Sequence, residues 1–237
     1  MTGVLVNVIT VIIGSSLGLL FKKGISEKYT EAVMTGIGLC TIAIGIGGIL
    51  KGENILIAII SMVIGALIGT ALDIDGKING VGDFLSRKMK KKDDKVSLTE
   101  GFVTASLLFC VGAMTIIGSL DAGLKGDNTT LFTKSVLDFF SSMMLSASLG
   151  FGVMLAAVFV LVFQGGLVLL SSLLEGVLTA SAVAEITCVG SLMILALGFN
   201  LIGITKIKVA NYFPALLLAP AVCALFELLG KYIPVLS

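Results

Sequence analysis

Seven stretches of roughly 20 mostly apolar residues, each long enough to cross a bilayer as a helix, take up most of this chain. They run about Thr2 to Phe21, Ala32 to Leu50, Ile55 to Leu72, Gly101 to Leu120, Phe151 to Leu174, Ile186 to Ile204 and Tyr212 to Leu229. One long polar connection, about Asp73 to Glu100, separates the third from the fourth. Only 13% of the 237 residues are charged and mean hydropathy is +1.11, too few charges for a domain that must cover itself in water. The expected fold class is all-α: a polytopic transmembrane helical bundle of about seven or eight membrane segments, with internal repeats.

An eighth stretch, Phe132 to Leu149, is shorter and carries Lys134, Ser135 and Asp138, so spanning, re-entrant and interfacial placements are all open. Lysine and arginine near helix ends concentrate on the cytoplasmic side. With this stretch spanning and the N-terminus outside, they divide twelve inside against four outside; without it, ten against six. The stronger bias favours eight segments with both termini outside. The expected organisation is a three-helix unit at 1–75, a basic cytoplasmic loop at 76–100, a helical hairpin at 101–149 and a second three-helix unit at 150–237.

Several function classes are disfavoured. The chain has no histidine, hence neither the commonest general base nor the usual zinc ligand. Cys40, Cys110, Cys188 and Cys223 lie singly in apolar stretches, as buried structural thiols do, with no CxxC pair. The first apolar stretch has no preceding basic residue and is followed by Lys22 and Lys23, the reverse of a cleavable signal, so it reads as a retained helix. Arg87, Lys88, Lys90, Lys91, Lys92 and Lys95 form a basic run that, between membrane segments, orients the protein rather than binds nucleic acid. Around Phe84 to Met89 it reads either as a short basic helix on an anionic leaflet or as a solvated loop.

Repeats add architecture. Leu50-Lys51-Gly52-Glu53-Asn54 returns as Leu124-Lys125-Gly126-Asp127-Asn128, and the same offset pairs Gly38 with Gly112, Thr41 with Thr115 and Ser61 with Ser135. A fainter match pairs Glu31 with Glu185 and Gly36 with Gly190, and in the eight-segment order that copy is inverted.

Gly14 with Gly18, and Gly65 with Gly69, have the GxxxG spacing that lets helices pack closely in lipid. The glycines from Gly36 to Gly48 and from Gly112 to Gly118 read either as further packing or as interruptions that free backbone carbonyls. Ionisable residues inside membrane segments mark a site or an internal pair. Asp138 shares a helix face with Lys134 and Ser135, so both a Lys134–Asp138 ion pair and a carboxylate held for a cation are open. Glu175 and Glu185 fall at expected helix ends, within reach of water. Asn7, Gln164, Asn200 and Asn211 add amides, and with Asp138 they suggest a polar interior path suited to sodium or a small polar solute. Pro214 and Pro220 would break the last helix.

Certain runs have a further likeness: Gly3, Asn7, Gly14 and Gly18; Phe109-Cys110-Val111-Gly112; Gly118-Ser119-Leu120-Asp121-Ala122-Gly123-Leu124-Lys125-Gly126-Asp127; Lys134-Ser135-Val136-Leu137-Asp138; and Gln164-Gly165. Together they resemble an uncharacterised family of bacterial multi-pass inner-membrane proteins, the YqgA and YdfK type, over nearly the whole chain. The resemblance implies a cytoplasmic-membrane location and about seven or eight helices, and no reaction. Ala113 stands where the resemblance leads one to expect proline.

The expected function is that of a secondary transporter, not an enzyme, moving a small polar or anionic solute. Expected site residues are Asp138, Ser135, Lys134, Asn7, Gln164, Asn200, Asn211 and Gly112. No cofactor is expected beyond sodium or a proton as coupling ion, and the expected partners are the bilayer and a second copy joined through glycine-rich faces. The rival is a non-transporting scaffold that uses the loop from Arg87 to Lys95. Site-directed labelling should find tags at Gly52, Gly126 and the C-terminus external and tags at Lys91 and Lys206 internal; an internal C-terminus would overturn the eight-segment order.

Overall fold

A computed structural model of the chain describes residues 1–22, 27–78, 80, 98–174, 176 and 178–230. Among them there is no strand. The helices are α1 (Thr2–Lys22), α2 (Glu27–Ile49), α3 (Ile55–Ala71), α4 (Leu98–Cys110), α5 (Ala113–Leu124), α6 (Thr129–Leu149), α7 (Gly152–Leu169), α8 (Ser171–Leu174), α9 (Ala180–Leu201) and, after a 3-10 turn at Val209–Tyr212, α10 (Phe213–Gly230). The run Arg87 to Lys95 and Glu175 lie outside the described residues.

Among the described residues four helical stretches are long and apolar enough to cross a membrane: Thr2–Phe21, Gly152–Leu169, Ala180–Leu201 and Val209–Leu228. A fifth crossing arises if Leu98–Cys110 and Met114–Leu124, bent by 59°, act as one. Thr35–Ile49 and Ile55–Ala71 are apolar but shorter. Among the described residues, length and composition thus pass four or five stretches of the seven or eight read from the sequence; the apolar parts of α2 and α3 fall short on length, and α6 on polarity. α6 has 21 residues, enough to span, but many of them are polar. Their placement is inside out: Lys134, Ser135, Asp138, Ser142 and Ser146 are buried, while Phe132, Val136, Leu137, Phe140 and Met144 are exposed. Water would favour the opposite arrangement, whereas lipid favours this one.

Close backbone approaches hold the bundle. Gly3 of α1 faces Asn128 and Leu131, Gly14 faces Phe139 and Ser142, and Gly18 faces Met143 and Ser146. Both numbers rise together, so α1 and α6 run parallel. Gly38, Gly45 and Gly48 of α2 meet Ile202, Leu195 and Ser191 of the α9 region in descending order, and Gly65 and Gly69 of α3 meet Ala215 and Asn211, so these two pairs are antiparallel. The first three helices therefore pack mainly on later partners rather than on each other. Small residues permit this where no aqueous hydrophobic force drives helix association. The GxxxG pairs are used within the chain, which leaves neither free to join two copies.

Several expectations need correction. The glycines of Gly36 to Gly48 do not interrupt α2, which is continuous. The stretch from Gly101 to Leu120 is not one helix: it breaks at Val111 and Gly112, and Gly112 has a φ of 154° that L side chains rarely adopt. The turn needs no proline at 113. Pro220 lies inside α10, which continues through it, and Pro214 sits in the first turn, where a missing N–H costs nothing. The duplicated connectors turn differently: Gly126 is left-handed at φ 71°, while Gly52 packs against Cys188.

A methyl group on Gly14 or Gly18 would overlap the α6 backbone. Gly14→Ala and Gly18→Ala are each expected to destabilise by about 1–3 kcal/mol, read as a lower Tm of the detergent-purified protein. Gly36→Ala and Gly47→Ala, whose Cβ meets nothing within 4 Å, should leave the Tm unchanged.

Candidate functional site

Four of the expected residues converge. Asp138, midway along α6, accepts at Oδ2 from Lys134 Nζ at 2.5 Å and from Asn7 Nδ2 at 3.0 Å. The same Asn7 Nδ2 donates to Gln164 Oε1 of α7 at 3.2 Å. Asn7 and Gln164 are fully buried, and Lys134 and Asp138 are 6% and 5% exposed. The parallel register of α1 on α6 places Asn7 opposite Asp138.

The network orients its own amides. A carboxylate only accepts, so Asn7 must turn its NH₂ toward Asp138, and Gln164 must meet that NH₂ with its carbonyl oxygen. Among the described residues, Asn7 Oδ1 and Gln164 Nε2 find no partner and are buried. Unmet buried polar atoms are costly, and these two, one an acceptor and one a donor, lie in the same network.

Two further residues belong here that sequence reasoning missed. The ring of Phe109, on the last turn of α4, lies under Lys134 Nζ at 5.9 Å from its centroid. Cys110 lies close enough to feel both Lys134 and Asp138. The signal was present in the Phe109-Cys110-Val111-Gly112 run, where a helix ends. The break at Gly112 brings the C-terminal end of α4, which carries partial negative charge, toward the ammonium.

The other expected site residues lie elsewhere. Ser135 donates to Leu131 O of its own helix at 2.7 Å. Asn200 clamps the loop after α9, accepting from Thr205 Oγ1 and Ile207 N and donating to Ile207 O. Asn211 accepts from Asp75 N at 2.9 Å. Gly112 forms the break itself. Glu185 is not at a solvated helix end: it is fully buried in α9, and its Oε1 accepts from Glu53 N and Asn54 N at 2.8 and 2.7 Å, pinning the connector before α3.

A cavity of about 560 Å³ opens where α4 begins and α9 ends, lined by Thr99, Glu100, Val103, Asn200, Lys206 and Lys208 among others. At 1.5 Å per residue, Val103 lies only about 9 Å along α4 from Phe109, so one helix joins the cavity wall to the charged network.

A family model described as "Protein of unknown function (DUF554)" matches residues 2–224. The chain belongs to the DUF554 family. It is 34% identical over 234 residues to "Uncharacterized membrane protein YdfK" of Bacillus subtilis, covering 97% of this chain and 99% of that one. To "Uncharacterized protein YqgA" of Escherichia coli it is 32% identical over 220 residues, covering 92% and 94%. No solved structure matches this DUF554 chain. All four network residues fall inside the DUF554 match, and the name of the YdfK relative agrees with the membrane placement that α6 requires.

Removing one partner of a buried ion pair leaves an uncompensated charge, at about 3–5 kcal/mol. Lys134→Met alone is expected to lower stability by that order, and the neutral double variant Lys134→Met/Asp138→Leu by clearly less than the two singles summed. Ser135→Ala should be nearly silent. Equilibrium or thermal unfolding of the four proteins gives the coupling directly, and additive losses would show that the pair does not matter.

Proposed function

We propose that this protein is a secondary transporter of the bacterial cytoplasmic membrane, with both termini outside, that moves a small polar or anionic solute coupled to protons or sodium. One observation carries the reading: a buried ion pair, Lys134–Asp138, stands beside a broken helix with two unmet amide atoms in its network. Intramembrane ionisable residues mark ion and substrate pathways, and broken helices frame transporter sites. Asn7 Oδ1 and Gln164 Nε2 offer this pair an acceptor and a donor that no described residue takes up.

In this mechanism Lys134 and Asp138 neutralise each other in the resting site. A coupling ion that occupies Asp138 frees the ammonium to receive the solute, so each ligand favours binding of the other. Phe109 and the end of α4 hold Lys134 in reach, and the cavity at Glu100 and Lys206 serves as the inner approach. The scaffold alternative rests on the run from Arg87 to Lys95, outside the described residues.

Purified protein in sealed liposomes should accumulate solute from a metabolite panel under an inward proton or sodium gradient. Asn7→Ala, which keeps the ion pair, should fold and lose at least about tenfold in rate, because one hydrogen bond to a charged group is worth about 1.5–3 kcal/mol. Flux at the wild-type rate in Asn7→Ala would remove the network from the pathway, and no flux across the panel would overturn the transport reading.

A further inference from the structure

We infer, resting on the transport reading, that the cargo has no net charge: one small monoanion, bound by Lys134 and Gln164, crosses with one monovalent cation, bound by Asp138 and Asn7. The resting site is neutral, since it holds one ammonium and one carboxylate, both more than nine-tenths buried. A charge left alone at such depth is heavily penalised, so the loaded site must be neutral too.

That condition selects among cargoes. A lone anion could win Lys134 only by stranding Asp138, and a lone cation on Asp138 would strand Lys134. An uncharged solute has nothing with which to compete for either member of a 2.5 Å ion pair. An anion and a cation arriving together let each protein charge exchange one partner for another.

The unmet atoms match those two halves. Gln164 Nε2 is a free donor that can add to the Lys134 ammonium in holding an oxyanion such as a carboxylate, and Asn7 Oδ1 is a free acceptor that can join Asp138 in holding sodium. A proton would instead sit on Asp138 itself. The titratable groups facing Asp138 are Lys134 on its own helix and the Cys110 thiol of α4, while α1 and α7 present only the two amides. The network thus holds two donor groups, Lys134 Nζ and Gln164 Nε2, for an anion and two acceptor groups, Asp138 and Asn7 Oδ1, for a cation.

The test uses the full chain in sealed liposomes with L-lactate, pyruvate, succinate and glycine as probes. A potassium gradient with valinomycin sets the membrane potential independently of the sodium and pH gradients. A monocarboxylate should enter faster under an inward proton or sodium gradient, with an initial rate that changes less than twofold when the potential is reversed. In Asp138→Asn, gradient dependence should vanish and any residual anion movement should follow the potential. The double variant Lys134→Met/Asp138→Leu, which is neutral, should fold and move none of the probes. Wild-type monocarboxylate flux that changes severalfold with potential would overturn the neutral cargo while leaving transport standing. Glycine entering without any cation dependence would also overturn it, because both charges would then reside on one molecule. If no probe moves under any gradient, the transport reading falls and this inference with it.

Discussion

An ammonium and a carboxylate buried one helical turn apart in lipid oblige every neighbouring element to serve them. Neither charge can be left to the hydrocarbon, so α6 must turn Lys134 and Asp138 inward and be covered on that side along its whole length. α1 supplies the cover, and it comes close enough only because Gly14 and Gly18 present no side chain to the α6 backbone. That approach in turn brings Asn7 within hydrogen-bonding distance of Asp138. Charge, glycine stripe and amide are thus consequences of one packing problem.

The rest of the bundle repeats the solution with different chemistry. α2 lies on α9 and α3 on α10 through small residues, since lipid offers helices no aqueous hydrophobic drive to associate. Polar groups elsewhere are used up locally. Glu185 receives two backbone N–H groups, Asn200 closes a loop on itself, and Asn211 anchors Asp75. Several hydroxyls fold back on their own helices, as Ser135 does. Among the described residues Asn7 Oδ1 and Gln164 Nε2 have no partner, as is also true of Glu185 Oε2 and five buried hydroxyls, but only these two lie in the Lys134–Asp138 network.

Much of the site was legible in the sequence because membranes make polarity rare. In a chain with so few charges, Lys134, Asp138, Asn7 and Gln164 attract notice wherever they fall, and the i, i+4 spacing of the first two gave their pairing directly. What misled was treating all rare polar residues as one set. Asn200 and Asn211 share the composition of Asn7 but cap loops near helix ends, and only their position in space separates the roles. Glu185 erred the other way: a helix start at Ala180 rather than Ile186 moved it from an expected solvated end into the core. Phe109 was passed over because an aromatic in an apolar helix carries no signal until a cation is found above it.

The sequence by itself determined that the chain is an all-helical membrane protein of the DUF554 type with a charged pair inside it, since hydropathy, family motif and helical spacing are local properties of the chain. Only the tertiary structure decided that α1 lies parallel on α6, that the stretch from Gly101 to Leu120 breaks at Gly112, and that two amides 157 residues apart meet, one of them on the Asp138 carboxylate. Partner choice depends on which small-residue stripes can interlock, and that is a property of pairs of surfaces that no single helix encodes.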